Sequence, residues 1–568
     1  MPKRITKKSH HINIDVSINI TAHKEGDYLF RTLRSIYRNI NCLLEGSDAQ
    51  VEVNIGLDNA DEITEQIARN FAKENKKLNV QIFKNSFGDV AVHRNFLIEK
   101  SKGTYIAVYD GDDFMSENYL LDAYNEAQKH TEPAVYCAKW LIMFGEHPAT
   151  VLHHIRSTQD PEFDPVSCYE YNAFPIQLFV HRDVYKKISY QPNQNIYGSE
   201  DFNFNLNVQA SGYEIYTLPE VLYYYREKPP SESLMHSYIL NKKPIRPTKF
   251  LNPSFFKKLT IPISQKQDSE SSSSKPNIGI SYTKKVVKLQ LEVFAALLGP
   301  LKSKLLNSHT APVNNDLYSK KISDLKNHGF TQKHFNLWSK VNEIEPYVYY
   351  DRDLIINLKY TEYNIHSNLS KIYFDFCNTF DGRISDILVV DEMKDDEEFA
   401  DDILEILGSL SKQNRRILVI FAGYNSKKAG LYKSKSEVIE NFEFTGYNNE
   451  QLIDFILKVV QNWSIKSLTI SSAKLAHKLL DDYGRILVEC TKIVACSNPF
   501  LENMQELTLL KYAPSRLQSF VDVALVPDLN SKKRLVEEFG WDDKKLHATE
   551  RISTSKPYHR IIKEIYSL

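Results

Sequence analysis

Between Asp15 and Tyr225 the chain alternates short, β-branched apolar runs with amphipathic stretches of helical period, in unbroken succession. "VSINITA" reads as a strand, and "EGDYLFRTLRSIYRNI" as a helix with Leu29, Leu33, Ile36 and Ile40 on one face. "VEVNIGLD" and "NVQIFKN" are further strands with the helix "ADEITEQIARNFAKEN" between them. Next come a helix in "DVAVHRNFLIEKSKG", ended by Gly103, and the strand "TYIAVYD". Strands separated by helices are joined by crossovers rather than hairpins, so the pattern predicts a doubly wound parallel α/β sheet. Such sheets bind ligands at the carboxyl ends of their strands. "LDNAD" closes the second strand and "YDGDD" the fourth, which brings Asp58 and the acids around Asp110 to one edge.

Asp110, Asp112 and Asp113 place three like charges within four residues, and these repel one another unless something compensates them. An isolated Asp-Gly-Asp turn is ordinarily just solvated. Here the acids follow an apolar strand and precede a helix start at "SENYL", with Ser116 as N-cap. Carboxylate oxygens at this spacing suit Mg2+ or Mn2+, which bind one or two carboxylates and complete their shell with phosphate and water. A phosphate-bearing ligand is therefore expected. A second acidic pair, Glu200 and Asp201 in "YGSEDFNFNLN", reads at its plainest as the first turn of a helix.

At 568 residues the chain exceeds one hydrophobic core. Beyond Tyr225 the rhythm breaks: "SQKQDSESSSSKPN" (Ser264 to Asn277) is too polar to pack, and "YTKKVVKLQLEVFAALLGPLKSKLL" reads as a basic amphipathic helix. From about Tyr347 a second α/β rhythm begins, with strands in "DILVVDE", "RRILVIFAG", "KSLTISS" and "FVDVALVP". It holds no phosphate loop: "FAGYNSKKAG" lacks the Walker spacing and "FDFCNTFDG" the DxDxT order. Lys plus Arg number 71 against 72 Asp plus Glu, so no basic field exists to hold nucleic acid. Six scattered cysteines without a CxxC pair fit a reducing compartment. With no apolar run of membrane length, the expectation is a cytoplasmic protein. The basic arm "MPKRITKK" reads as a solvated tail, with peripheral contact to the inner face of an anionic membrane as the rival reading.

The stretch from Val16 to about Tyr225 resembles the catalytic domain of glycosyltransferase family 2, which has the GT-A fold and binds a nucleotide sugar. The features that carry the resemblance come in order: a first strand running into "TAHKEGDYLFRTLRSI", "LDNAD", "GDVAVHRNFLIEKSKGTYIAVYDGDD" and "YGSEDFNFNLNVQASGYEIYTLPEVLYYYRE". The resemblance implies that Asp58 holds the nucleobase and that His23 and Glu25 line the nucleoside pocket. Family members commonly have a Pro-Thr-Tyr-Asn-like turn where this chain has Thr21, Ala22, His23 and Lys24. Arg94 would lie near nucleotide or phosphate, its plainer reading being a surface salt bridge. Asp110 would face ribose, sugar and metal, and Asp112 would be the metal ligand, with Asp113 behind them or at the helix start. Glu200 and Asp201 would supply the general base, Asp201 being the residue chosen. Arg226 would reach the diphosphate, with a stacked structural arginine as rival. His236 would complete a metal shell or serve only the structure.

The implied activity is inverting, Mn2+- or Mg2+-dependent transfer of a sugar from a nucleotide sugar, a UDP-sugar first, to a hydroxyl of a glycan or lipid-linked acceptor, as in surface polysaccharide synthesis. The rival is a non-catalytic nucleotide-sugar-binding or scaffold protein of a glycan assembly complex. A nucleotidyltransferase would show a Gly-rich loop, and "TAHKEGDY" has one Gly. The expected division is a GT-A domain over 1–240, a connector over 241–330 and a Rossmann-like α/β domain over 331–568. That last part weakly resembles the N-terminal half of a GT-B glycosyltransferase. A cut within Ser264 to Asn277 is expected to leave donor binding with the N-terminal piece.

Overall fold

The computed structural model describes residues 14–145, 151–229, 233–262, 315–348, 351–362, 368–390, 408, 410, 415–421, 439–443, 448–471, 473–496, 515–526 and 528–548. The basic arm, the polar stretch Ser264 to Asn277 and the stretch after it whose sequence reads as a basic helix lie outside the described residues.

Four strands, β1 (Val16–Ala22), β2 (Val51–Asp58), β3 (Asn79–Asn85) and β4 (Tyr105–Asp110), form a parallel half-sheet in the order 3-2-1-4. They are connected by α1 (Asp27–Gly46), α2 (Glu62–Glu74) and α3 (Val90–Lys100). Every residue of β1 is buried, as a strand covered on both faces requires. Leu29, Leu33, Ile36 and Ile40 are the buried stripe of α1. The side chain of Asp61 caps α2 through Thr64 N, and that of Asp89 caps α3 through Ala91 N and Val92 N.

Past β4 the sheet becomes mixed, which the strand–helix rhythm did not foretell. Here lie β5 (Phe114–Met115), α4 (Tyr119–Ala127), β6 (Val135–Phe144), β7 (Val151–His154), β8 (Phe179–His181), α5 (Arg182–Tyr185), α6 (Glu200–Ala210) and β9 (Ile215–Arg226). β8 runs antiparallel to β4 and β6, while β9 pairs parallel with β6 across a register shift and antiparallel with β5. That last pairing brings the far end of β9 beside the acids that follow β4.

The chain continues through α7 (Leu234–Leu240), α8 (Pro253–Phe256), α9 (Asn315–Asn327), α10 (Gln332–Asn342), α11 (Arg352–Asn357) and β10 (Lys359–Glu362). β10 pairs parallel with β7 and so extends the first sheet. Phe330, Trp338, Val341, Val348 and Ile355 share one core with Phe114, Trp140, Phe144 and Leu222. The packing therefore does not divide at 331, because residues through Glu362 belong to the first sheet. Periodicity shows that a helix has an apolar face but not which sheet that face covers.

The second sheet is wholly parallel, with strands β11 (Asp386–Val390), β12 (Ile417–Phe421), β13 (Ile439–Glu443), β14 (Ser467–Ser471), β15 (Lys492–Cys496), β16 (Val523–Val526) and β17 (Leu546–Ala548). Their order, 13-12-11-14-15-16-17, is that of a Rossmann-type doubly wound sheet. The two halves meet where Tyr373 packs on Tyr169 and Phe256, and where Lys458 donates to Tyr169 O at 3.0 Å. No helix among the described residues is long and apolar enough to cross a membrane.

Candidate active site

The carboxyl ends of β1, β2 and β4 open into a cleft of about 650 Å³, lined among others by His23, Glu25, Asp58, Arg94, Asp110 and Asp112. Asp110 is the last residue of β4, and Thr21, its partner on β1, donates to it at 3.0 Å. The chain must then turn against the end of β1. Gly111 N donates to Thr21 O at 2.9 Å, and a Cβ on Gly111 would stand 2.9 Å from that same oxygen, so the turn accepts no larger residue. Asp112 follows in the cleft wall. Asp113 is 2% exposed and accepts from Arg226 N at 2.8 Å and Tyr223 OH at 2.5 Å. Burial, reinforced by the charges of Asp112 and Asp110, raises its pKa well above the usual carboxylate range.

Asp58 accepts from Phe87 N at 2.6 Å and Gly88 N at 2.9 Å, which clasps the loop after β3. The clasp uses left-handed backbone at Gly88 (φ 64°) and at Asn59 (φ 51°). His23 Nδ1 lies 2.6 Å from Asp58 O, and His23 N donates to the Glu25 carboxylate. Thus His23, Glu25 and Asp58, expected around the nucleoside, do share one corner of the cleft.

Arg94 is neither a surface ion pair nor a free phosphate ligand. It is 5% exposed and donates to Asp110 Oδ1 at 2.8 Å and, through its other terminal nitrogen, to Glu200. It therefore ties the acid that ends β4 to the acid that begins α6. Glu200 is also buried, with Asn193 Nδ2 at 3.3 Å and Tyr238 OH at 3.4 Å. Asp201 accepts from Asn172 Nδ2 at 2.9 Å. Burial, then the neighbouring Glu200 charge, push Asp201 up to about 7 against the pull of Arg94. Ser199, just before the pair, is left-handed (φ 53°), a strained conformation for a non-glycine residue. Neither Glu200 nor Asp201 is among the residues lining the cleft, and their link to it is Arg94.

Arg226, expected at the diphosphate, does line the cleft, but its guanidinium is engaged with other groups of the chain. Its Nε donates to Asp112 O at 2.9 Å and its Nη2 to Glu345 at 2.6 Å, and the rings of Tyr28, Phe114 and Phe144 surround the guanidinium. The guanidinium is stacked among these rings and fixed by a carboxylate that no local pattern announces.

The cation facing the acids is Lys228, which the sequence reading passed over as part of a loop. Its Nζ lies 2.7 Å from Asp112 Oδ2 and 3.8 Å from Glu25 Oε1. Burial works to lower its pKa, but Asp112 and Glu25 outweigh burial and hold it raised. A basic residue two positions beyond Arg226 was the available signal. His93 also lines the cleft; it packs its Nε2 against Gly56, and burial lowers it to about 4, so it is neutral near pH 7. The side chain of His236 lies outside the described residues.

Among the described residues no three acids, histidines or cysteines cluster as a ready metal cage. Asp112 and Asp110 supply the one or two carboxylates that Mg2+ or Mn2+ needs when phosphate completes the shell, so the donor set fits such an ion with a diphosphate present.

A parallel 3-2-1-4 half-sheet, a mixed second half and acids at the carboxyl edge define the N-terminal unit as a GT-A-type α/β domain. Its family follows from residues 17–176, which match the model of Glycosyl transferase family 2. The N-terminal part of the chain is a domain of that family. The uncharacterized glycosyltransferase EpsJ of Bacillus subtilis (strain 168) is 23% identical over 198 residues, which is 34% of this chain and 57% of that protein. The chain thus spans little more than half the length of this curated relative. Among solved structures, S. aureus TarS is 15% identical with a TM-score of 0.30, over 58% of this chain and 55% of that one. The mannosyltransferase PcManGT from Pyrobaculum calidifontis, in complex with GDP-Man and Mn2+, is 12% identical with a TM-score of 0.30, over 60% and 85%. The assignment rests on the family match and the strand order, not on these superpositions.

Proposed function

We propose that the N-terminal unit transfers a sugar from a nucleotide sugar to a hydroxyl acceptor, with inversion at the anomeric carbon, in the assembly of a glycan or surface polysaccharide. The observation that carries this reading is the Arg94 bridge, which joins the donor-side acid Asp110 to the Glu200–Asp201 pair. A carboxylate near pKa 7 is suited to general-base work at neutral pH. In the proposed step Asp201 takes the proton of the acceptor hydroxyl as its oxygen bonds to the anomeric carbon. The bond to the diphosphate breaks on the opposite side, and the electron pair leaves with the nucleoside diphosphate. Lys228 meets the charge that grows on the departing phosphate. A divalent cation held by Asp112 and Asp110 would supply further neutralisation there. Asp58, His23 and Glu25 would hold the nucleoside. The second sheet, to which the family match does not extend, is proposed to position the acceptor or contact another subunit.

The test is slow hydrolysis of a panel of nucleotide sugars, UDP-sugars first, with Mn2+ and with EDTA. Asp112→Asn should behave in Mn2+ as the wild type does in EDTA. Equal wild-type rates in both conditions would remove the metal from the proposal. No hydrolysis and no nucleotide binding in any condition would remove the donor.

A further inference from the structure

Glu345 lies well outside the segment that matches the family, yet its side chain is fully buried against the donor cleft. Its Oε2 accepts from Arg226 Nη2 at 2.6 Å, and its Oε1 accepts from Arg31 Nη1 at 2.7 Å and Tyr347 N at 3.2 Å. Arg226 carries the contact onward. Its Nε holds the backbone oxygen of Asp112 and its own N–H holds the Asp113 carboxylate. The turn that presents Asp112 is thus fixed on its far side by an ion pair formed between β9 and the segment after α10. Helix α10, which leads into that segment, is seated by other long-range contacts. His334 Nε2 lies 2.9 Å from Pro219 O, and Arg38 donates to Lys340 O at 2.9 Å.

We infer that Glu345 is a positioning residue for the donor site: through Arg226 it sets the placement of the Asp112 turn, so the segment after α10 is part of the donor-binding unit. The physical ground is that a fully buried carboxylate must be paired. With Arg226 engaged on Glu345, the guanidinium has one position among its three rings, and Asp112 O follows it. Without Glu345 the buried guanidinium loses its carboxylate partner and is left to the acids of the turn it already touches through Asp112 O, so the turn moves with it. This inference rests on the proposed donor site and also reverses one expectation. A piece ending before Ser264 would lack Glu345 and β10, and so would not keep donor affinity.

The experiment uses the full chain. Nucleoside diphosphate affinity by calorimetry and donor KM and kcat are measured for the wild type, Glu345→Gln, the surface control Glu343→Gln, and the double variant Arg226→Met/Glu345→Leu. The double variant removes both buried charges and leaves only the part-exposed Arg31 to solvent, so it is built to fold. Glu345→Gln should weaken nucleoside diphosphate binding and raise donor KM by about ten- to a hundredfold, with a smaller change in kcat. Glu343→Gln should match the wild type. The double variant should unfold like the wild type yet bind donor as weakly as Glu345→Gln. Wild-type donor affinity in either Glu345 variant would overturn the inference while leaving the donor site in place. A wild-type chain that binds no nucleoside diphosphate would instead overturn the proposed function, and the inference with it.

Discussion

Replacing Asp201 with Asn tests the chemistry and the electrostatics of the site together. The carboxyl has its pKa raised from 3.8 to about 7, chiefly by burial and next by the Glu200 charge. The folded protein therefore binds this proton more tightly than the unfolded chain does. As pH rises from about 4 to about 7, ionisation is resisted in the folded state and free in the unfolded one, so stability falls across that window and levels off above it. At about 1.4 kcal/mol per pKa unit, the full penalty is about 4 kcal/mol. A carboxamide carries no such penalty and can still accept from Asn172. Asp201→Asn should thus equal the wild type near pH 4 and exceed it by up to about 4 kcal/mol near pH 8, read from urea unfolding at a series of pH values. The same variant should lose about two to four orders of magnitude in transfer, roughly 3–5 kcal/mol of barrier, while keeping donor affinity. The wild-type kcat/KM should rise with pH through about 7 as the base ionises. Parallel stability curves for the two proteins from pH 4 to 8 would refute the burial argument. Undiminished transfer would refute the assignment of the base.

Two further outcomes follow from buried charge. Arg94→Met leaves the Asp110 and Glu200 carboxylates without their shared partner and should destabilise the fold by about 3–5 kcal/mol, measured by chemical denaturation at neutral pH. Lys228→Ala should weaken nucleoside diphosphate binding about tenfold and should make the remaining affinity depend more steeply on Mn2+, since the Asp112 carboxylate then loses the ammonium paired with it. Calorimetry across a Mn2+ series reads both effects.

The parallel half of the first sheet was legible because its signals are local. β1, β2 and β3 fall on the stretches that the alternation marked, and the face read for α1 is the face it buries. Parallel crossovers then required Asp58 and Asp110 to meet at one edge, and they do. What was not legible is set by pairings between distant residues. β8 is three residues long and antiparallel, and β10 is four residues long and finds its partner more than 200 positions earlier. Neither is long enough to announce itself by pattern. Arg226 and Lys228 stand two apart in one basic stretch, and nothing local says which of them meets Asp112. Glu345, 119 residues from Arg226, decides it by claiming the arginine.

The three acids of the "DGDD" turn raise the question of what makes their repulsion tolerable, and each has a different answer. Asp110 is met by Arg94 and Thr21, and Asp112 by Lys228. Asp113 is buried, its affinity for a proton is raised, and the Arg226 backbone N–H and Tyr223 hydroxyl hold it. The cluster is therefore balanced by the chain itself before any ligand arrives. A nucleoside diphosphate brings fresh negative charge to face Asp110 and Asp112, and the Arg94, Arg226 and Lys228 cations of the cleft wall are each already paired with a carboxylate. The case for a divalent cation rests on that imbalance rather than on the acids alone, which is why the ion is expected to bind together with the donor, taking its remaining ligands from the phosphates.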